Sequence, residues 1–465
     1  MKIAFHGAAR AVTGSKHLVT LNNNKKILLD CGMFQGMGNV TEGLNEHFGF
    51  EPSALDAMVL SHAHIDHCGL LPRLVAEGFS GPVFCTPPTM DLARILLMDS
   101  AKISTQDAEY ANRHIKAKED EEMPLYTEED VVKTLGQFKL LDYQQELEIL
   151  QGVFLSFTDA GHIIGSAAVH LRISEGDGEK RLTFSGDVGR YGDLILKSPQ
   201  RYEQADYIIM ESTYGDSLHK DLAPIEDTLY ELIHRTCQLK KGKLIIPAFS
   251  VGRTQELLFA LNALELKNRL PDVPYYVDSP LSLQATEVLK NHPEAYNNGV
   301  KEIMKVDHDV FSFKGLRFIE SVQESKALNT DNRPCVIIAS SGMAEGGRIR
   351  HHIRNNIGNQ KNTILMVGYA DPGSLAGRLM RGQRSVWMFG EEYEVIAEVA
   401  AIQSMSAHGD YEDLLQFLDC QQPDEVKQLF LVHGEYEVQQ HFAHRLREKG
   451  FKNIAIPQFR QVYEL

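Results

Sequence analysis

Three histidines and one aspartate within six residues give this sequence its clearest chemical signal. They form the run HAHIDH at positions 62–67, which only Ser61 separates from the apolar run AMVL at positions 57–60. Because alternate side chains of an extended chain share a face, His62 and His64 can converge on one point. Asp66 and His67 follow where the chain turns into a predicted helix at 69–77, and can face a neighbouring point. A catalytic zinc ion needs about three such ligands and a water, so four candidates together predict two metal ions.

The alternative is a polar loop whose histidines only form hydrogen bonds with backbone groups. A single histidine fits that interpretation well. The spacing H-x-H-x-D-H at the end of a predicted strand favours metal binding instead.

Further candidate ligands follow other apolar runs. His162 follows a predicted strand at 151–158, and taken alone it could equally be a loop histidine. Asp187 follows a strand at 181–184 and is the kind of carboxylate that can bridge two metal ions. Asp30 ends a predicted strand at 26–30, where a buried carboxylate is costly unless it is paired. It either caps a turn or holds a ligating imidazole from behind, and metal-bound histidines need such partners.

The middle of the chain predicts a different architecture. Helical stretches alternate there with short apolar strands, which is typical of a parallel α/β unit. The strands end in turns rich in Ser, Gly and Asp, whose backbone N–H groups suit phosphate oxygens. None of these turns has the P-loop or Rossmann spacing, and each could be an ordinary strand-to-helix turn. The candidate phosphate-binding residues are Ser340, Ser341, Gly342, Arg253 and Arg378.

Composition limits the class of protein. A chain of 465 residues with 43% apolar and 24% charged residues predicts a soluble globular protein of two domains. A net charge of −16 argues against a protein that coats nucleic acid by charge alone, although it does not exclude a nuclease with a local basic site. The six cysteines form no C-x-x-C pair, and no signal peptide or membrane span is recognisable. We therefore expect a cytoplasmic protein.

These motifs together resemble the metallo-β-lactamase superfamily, and Glu211, His408 and His433 resemble the extra motifs of its β-CASP branch. That branch includes the cleavage and polyadenylation endonuclease, ribonuclease J and the Artemis group. The resemblance spans essentially the whole chain. It implies an α/β fold in which an αββα sandwich, residues 1–205 and 387–465, carries a C-terminal RNA-metabolising extension. A parallel α/β β-CASP domain, residues 206–386, is inserted in this sandwich.

The resemblance also implies a ligand set for two zinc ions. The first ion would be held by His62, His64 and His162. The second would be held by Asp66, His67 and His433, with Asp187 between the two ions and Asp30 behind them.

For the reaction, the family implies that a zinc-activated water attacks phosphorus, leaving 3′-hydroxyl and 5′-phosphate ends. His408 is the expected general acid, oriented by Glu211, and Asp66 counts as catalytic as well as a ligand. The alternative for His408 is a capping residue of a predicted helix at 411–418.

A histidine at position 433 is typical of RNA-acting family members, so we expect RNA, most simply single-stranded, as the partner. The chain looks most like the compact bacterial members, and a homodimer is a further candidate assembly. Endonuclease and 5′-to-3′ exonuclease action both stay open. The rival functions are a DNA nuclease of the same family and a thioester or lactam hydrolase. A non-catalytic RNA-binding protein is less favoured, because every ligand position is occupied.

Overall fold

The computed structural model describes residues 1–36, 39–113, 122–176, 178–219, 224–368, 370–402 and 405–465. The strands are, in chain order, β1 (Lys2–Phe5), β2 (His17–Thr20), β3 (Lys26–Leu29), β4 (Ala57–Val59), β5 (Val83–Cys85), β6 (Phe138–Leu140), β7 (Glu146–Leu150), β8 (Val153–Asp159), β9 (Ala167–Glu175), β10 (Gly178–Phe184), β11 (Tyr207–Glu211), β12 (Leu244–Pro247), β13 (Tyr275–Val277), β14 (Leu316–Phe318), β15 (Val336–Ala339), β16 (Thr363–Val367), β17 (Ser385–Met388), β18 (Glu391–Glu394), β19 (Glu398–Ile402), β20 (Gln428–Val432), β21 (Ile454–Ala455) and β22 (Val462–Glu464).

The α-helices are α1 (Asn39–Glu46), α2 (Ile65–Cys68), α3 (Leu71–Ala76), α4 (Pro87–Asn112), α5 (Glu128–Leu135), α6 (Ile225–Ile233), α7 (Arg253–Leu266), α8 (Pro280–Asn291), α9 (Asn298–Ile303), α10 (Val322–Thr330), α11 (Arg348–Asn356), α12 (Leu375–Met380), α13 (Tyr411–Leu418) and α14 (Tyr436–Glu448). None of the helices in these described ranges is long and apolar enough to cross a membrane. All six cysteines are free thiols.

The first compact unit, Met1–Leu218 with His408–Leu465, contains two seven-stranded sheets. Their order is β22-β1-β2-β3-β4-β5-β6 and β21-β20-β11-β10-β9-β8-β7. Alternating side chains such as Ile27 and Leu29 of one sheet pack against Leu155 and Phe157 of the other, so the sheets face each other across one core.

Helices cover the outer faces of this sandwich. Buried side chains of α13 and α14, such as Leu414 and Phe442, pack on Ile208 and Leu429 of the second sheet. Residues such as Leu28 alternate with the core-facing ones of the first sheet and are also fully buried, so the other face of this sheet is covered as well. The predicted αββα sandwich is therefore confirmed.

The second compact unit, His219–Ala407, is built on a six-stranded sheet with the order β14-β13-β15-β12-β16-β19. Every pair in this sheet is parallel. Helices α10, α11 and α12 share a core with one face of it. The predicted parallel α/β unit is confirmed, and it carries in addition a hairpin of β17 and β18.

The two units divide later in the chain than the predicted domain boundaries, 205/206 and 386/387. Strand β11 pairs with β10 and β20, which places it in the first unit. Strand β19, which the sequence analysis grouped with the C-terminal part of the sandwich, pairs with β16 in the second unit. An apolar run alone does not show which sheet a strand joins.

Candidate metal centre

The predicted ligands and the predicted general acid lie together in the first unit, where strands of both sheets end. The segment after β4 carries His62 and His64, and α2 carries Asp66 and His67. Strands β8, β10, β11 and β20 run in one direction, so their carboxyl ends meet at one edge. The residues delivered at that edge, or just before α13, are His162, Asp187, Glu211, His433 and His408.

One cluster combines three histidines with Asp187. Nδ1 of His64 lies 3.2 Å from Nε2 of His62 and 3.1 Å from Nε2 of His162. Oδ2 of Asp187 lies 3.4 Å from Nε2 of His62 and 3.6 Å from Nε2 of His162. The four donor atoms therefore face one point from which a single cation could reach all of them.

A second cluster lies on the other side of the same carboxylate. Nε2 of His433 lies 3.2 Å from Nε2 of His67 and 3.3 Å from Oδ2 of Asp66. Oδ1 of Asp187 lies 3.2 Å from Nε2 of His67. This Oδ1 is buried and accepts no hydrogen bond from the described residues, which is costly unless a cation lies beside it. Asp187 thus offers one oxygen to each cluster.

These separations fit zinc. Ligand atoms about 2.0–2.1 Å from a tetrahedral zinc ion lie about 3.3–3.4 Å from one another. The spacings given above for the two clusters are 3.1–3.6 Å, and Nε2 of His67 lies 3.9 Å from Oδ2 of Asp66. The donor set, imidazole nitrogen with carboxylate oxygen, is also the one that catalytic zinc sites use.

The protonation of the histidines suits this use. Burial, together with the charge of His67, lowers the pKa of His62 to about 3, and burial lowers the pKa of His64 to about 4. Both rings are therefore neutral at neutral pH, with a lone pair free for a metal ion. Burial alone would lower the pKa of His67, but Asp187 and Asp30 raise it well above its usual value. A metal ion bound at His67 would displace a proton.

Asp30 holds ligands of both clusters from behind. One of its carboxylate oxygens accepts from Nδ1 of His67 at 2.6 Å and from Oγ of Ser61 at 2.9 Å, and the other accepts from the Ser61 backbone N–H at 2.8 Å. Oγ of Ser61 in turn lies 3.0 Å from Nδ1 of His62. Asp30 is fully buried, as the interpretation of a carboxylate behind the ligands requires.

We expect Asp30→Asn to weaken zinc binding by about 10–100-fold, the usual cost of losing such a partner. An amide cannot accept the His67 proton and the two Ser61 hydrogen bonds as a carboxylate does. Zinc competition with a chromophoric chelator measures the effect. Asp424→Asn, on an exposed aspartate paired with Lys452, is the matched control and should bind zinc like the unchanged protein. Equal affinities for the two variants would contradict this role of Asp30.

His433 is held in an uncommon backbone conformation. Its φ is +51°, in the left-handed region that non-glycine residues rarely adopt. Its N–H donates to the Ala8 carbonyl at 2.8 Å, and its Nδ1 lies 2.9 Å from Oγ1 of Thr213. These contacts fix the ring with Nε2 facing the second cluster. Such strain is typical of functional positions that the surrounding structure over-determines.

His408 and Glu211 form an acid–carboxylate pair beside the clusters. Nδ1 of His408 lies 3.2 Å from Oε1 of Glu211 and 4.0 Å from Oδ2 of Asp187. Backbone N–H groups of Val188 and Thr213 fix the buried Glu211 carboxylate. Burial would lower the pKa of His408, but Glu211 and Asp187 raise it to about 9. The imidazolium form is therefore available at neutral pH.

The candidate phosphate residues lie in the second unit, and one of them needs correction. Ser340 and Ser341 lie in the turn after β15, partly exposed, and Gly342 packs against Phe249. Arg253 is buried and ion-paired with Glu256, so its charge is already neutralised and is not offered to a phosphate.

Arg378 lies 3.6 Å from Glu345, which partly neutralises it as well. Of the candidate phosphate residues, the serine turn alone offers exposed polar groups without such a partner.

The sequence analysis missed two residues that orient ligands, Ser61 and Thr213. Ser61 contacts Asp30 and His62, and Thr213 contacts His433. Each stands next to a recognised motif: Ser61 directly precedes the HAHIDH run, and Thr213 follows Glu211 by two positions. That adjacency is the signal that could have found them.

Three family models match the chain. A metallo-beta-lactamase superfamily domain covers residues 18–179, a Beta-Casp domain covers 254–379, and a Zn-dependent metallo-hydrolase RNA specificity domain covers 392–457. The predicted resemblance is thereby confirmed.

Curated relatives match over nearly the full chain. Ribonuclease TTHA0252 of Thermus thermophilus is 35% identical, over 94% of this chain and 94% of its own length. The RNase J-like protein of Methanocaldococcus jannaschii is 29% identical, over 98% and 97%. Transcription termination factor FttA of Methanosarcina mazei is 31% identical, over 94% and 67%. With this similarity, and with a His/Asp cluster able to bind metal, the chain belongs to the β-CASP family of the metallo-β-lactamase superfamily and is a metal-dependent hydrolase.

Proposed function

We propose that this chain is a zinc-dependent ribonuclease that hydrolyses phosphodiester bonds of single-stranded RNA. The observation that carries the proposal is the pair of clusters on either side of Asp187, with the His408–Glu211 pair beside them. Relatives named as ribonucleases, and the match to an RNA specificity domain, support RNA as the substrate.

The chain would hold two zinc ions. His62, His64 and His162 would hold the first, with Oδ2 of Asp187 as a further ligand. The second would be held by Asp66, His67 and His433, with Oδ1 of Asp187 as a further ligand. Two zinc ions, when bound, would lower the pKa of a water to about 7 and would place positive charge beside the negatively charged phosphoryl oxygens.

The protein's own groups account for the leaving side of the reaction. The ribose 3′-oxygen departs as an alkoxide and needs a proton, which His408 donates from its imidazolium ring. Glu211 holds that ring through Nδ1 and stabilises its charge, and Nε2–H is the proposed donor to the leaving oxygen. Asp66 serves as a ligand and, through its charge, also favours the protonated form of His408. The products are a 3′-hydroxyl and a 5′-phosphate.

Purified, metal-quantified protein with end-labelled single-stranded RNA tests the proposal. We expect cleavage to products with 5′-phosphates, and loss of cleavage after a chelator removes the metal, with recovery on adding zinc. Internal fragments at early times would indicate endonuclease action, and mononucleotides released from the 5′ end would indicate exonuclease action. The proposal includes endonuclease action, with 5′-to-3′ exonuclease action as an added activity.

Matched DNA and a small thioester serve as controls for the rival functions. We expect much slower cleavage of a DNA strand of the same sequence, and no thioester turnover. Preferred cleavage of DNA would make the protein a DNA nuclease. RNA decay that is equal with and without the chelator would contradict a metal-dependent reaction altogether.

Two further expectations remain proposals. A cytoplasmic location is supported by six unpaired thiols, which persist in reducing compartments. For the homodimer, light scattering across a range of concentrations would decide the oligomeric state.

A further inference from the structure

The tip of the β17–β18 hairpin presents an aromatic residue where one is not expected. Phe389 and Gly390 form the two-residue turn, with φ of +53° and +79°. Such a turn needs positive φ at both positions and usually carries Asn-Gly. Phenylalanine is therefore a strained choice at position 389, and 43% of its surface is exposed instead of packed in the core.

Three cationic or ionisable side chains of α11 surround this ring. The guanidinium carbon of Arg350 lies 4.7 Å from the ring centre, and that of Arg354 lies 5.5 Å from it. The imidazole of His351 stacks on the same ring at 4.7 Å with an interplanar angle of 25°. We call Phe389, Arg350, His351 and Arg354 the Phe389 cluster.

No carboxylate neutralises the Phe389 cluster. Neither Arg350 nor Arg354 has an ion-pair partner within 4.0 Å among the residues that the structure describes, although the whole chain carries a net charge of −16. Two of the three acidic side chains of β18 have other hydrogen-bond partners: Glu391 accepts from the Tyr393 hydroxyl, and Glu392 accepts from Ser385.

A second observation also indicates unbalanced positive charge at the Phe389 cluster. The pKa of His351 is lowered by burial, then by the charges of Arg354, His352 and Arg350. In addition, Nε of Arg350 is buried and has no hydrogen-bond partner in the described structure. Like charges repel and a buried donor without an acceptor is costly, so these two features oppose the stabilising contacts of the arginines with the Phe389 ring.

The chemistry of the Phe389 cluster matches a single nucleic-acid strand. A guanidinium that stacks on an aromatic ring can offer N–H groups of its edge to a phosphate. Arg350 already uses Nη1 to donate to the Glu345 carbonyl at 3.2 Å, which leaves Nη2 for a phosphate. Exposed aromatic rings and imidazoles are the surfaces on which unpaired bases stack. Trp387, the one tryptophan of the chain, lies two positions away on the same hairpin and is 63% exposed.

We propose that the Phe389 cluster binds a single-stranded stretch of the RNA substrate, with Arg350 and Arg354 on phosphates and with Phe389 and His351 stacking on a base. The choice of RNA as the ligand rests on the proposed function. Every residue of the cluster belongs to the second unit, whereas the metal ligands all belong to the first.

Binding by the full-length, chelator-treated protein tests this site without any cleavage. The probe is a fluorescently labelled single-stranded oligoribonucleotide, followed by anisotropy at several salt concentrations. Phe389→Asn removes the ring and supplies a residue that the turn prefers, so the hairpin should persist. We expect it to weaken RNA binding by about 5–100-fold, the usual range for a stacked base.

Arg354→Gln should weaken binding and also reduce the slope of log K against log salt by about 0.7, the value for one phosphate contact on a single strand. RNA should quench the fluorescence of Trp387 in the unchanged protein and quench it less in Phe389→Asn. Arg333→Gln is the matched control, because this exposed arginine of the same unit is already paired with Asp331. It should change neither affinity nor slope.

RNA affinity and salt slope that stay unchanged in both Phe389→Asn and Arg354→Gln would overturn the proposal. Hydrolysis of bis(p-nitrophenyl) phosphate, which has neither a nucleobase nor a second phosphate for the Phe389 cluster, should be the same in all zinc-loaded variants. If RNA binding depends on the Phe389 cluster but the protein cleaves no RNA, the ribonuclease proposal is contradicted and the proposal for the Phe389 cluster is supported. Normal RNA cleavage, together with RNA binding that is unchanged in both variants, would contradict only the proposal for the Phe389 cluster.

Discussion

His408→Ala is expected to lower kcat for RNA cleavage by about 10²–10⁴-fold, the usual size of a general-acid contribution, while the protein keeps its zinc. The reason is that, around Asp187, the proposed proton donor and the proposed zinc ligands are different residues. His408 is fixed through Nδ1 by Glu211 and lies 4.0 Å from Asp187. It forms a third group of possible donors with Asp187, Glu211 and His433, but the two proposed zinc sites have their full ligand sets without it. Removing His408 therefore takes away a proton donor but leaves the proposed ligands in place.

The pH profile separates this role from a structural one. The pKa of His408 is raised to about 9, so its acidic form is present below that pH and is lost as the pH rises through it. We expect the rate of the unchanged protein to fall on the alkaline side at or below about pH 9, since bound zinc ions would add positive charge nearby. That decline should disappear in His408→Ala.

His444→Ala is the matched control, because His444 is an exposed histidine of α14 that is paired with Glu448. Its kcat and pH profile should equal those of the unchanged protein. Loss of zinc from His408→Ala would show that His408 is itself a ligand, and an unchanged kcat would show that another group donates the proton.

Much of the candidate site could be predicted because its ligands follow recognisable strands. The apolar runs before His62, His162, Asp187 and His433 are visible in the sequence, and the structure brings all four residues together. The helix carrying Asp66 and His67 was not predicted. It spans only Ile65–Cys68, too short for any helical periodicity to show.

Close packing beside the site could not be predicted from the sequence either. A side chain at Gly32 would meet the Asp66 carbonyl at 1.6 Å, so the backbone passes there only because this residue is glycine. That contact joins segments far apart in the sequence. Local pattern therefore predicts the ligand but not the neighbour that holds it.

The fold shows similar limits. The alternation V-x-L-x-I at 169–173 is typical of a strand and lies in β9, yet the sequence analysis did not use it. The β17–β18 hairpin lacked the usual signal, because Phe389 occupies the place where Asn is expected. The prediction for Arg253 needed correction for a different reason. Whether Arg253 offers its charge depends on Glu256, one helical turn away, and spacing alone does not show whether such a pair forms.

His162→Ala and His433→Ala are expected to bind about one zinc ion per chain each, where the unchanged protein binds two. His162 belongs only to the cluster with His62 and His64, and His433 is the histidine that completes the cluster with Asp66 and His67. Each substitution thus removes a ligand from one cluster and leaves the other with its full set. Activity should fall more than about 100-fold in both, because the pair of ions contributes several kcal/mol to the transition state and about 1.4 kcal/mol equals a factor of ten.

Metal analysis after exhaustive dialysis against metal-free buffer measures the stoichiometry, and circular dichroism checks the fold of each variant. The comparison between the two variants carries the argument, since a single shared site would lose its whole metal content with either change. His444→Ala should retain both ions. One ion in the unchanged protein, or two ions in either variant, would contradict the assignment of these histidines to separate sites. With one ion in the unchanged protein, Asp187, whose two oxygens face the two clusters at 3.2 Å and 3.4 Å, would serve a single cation.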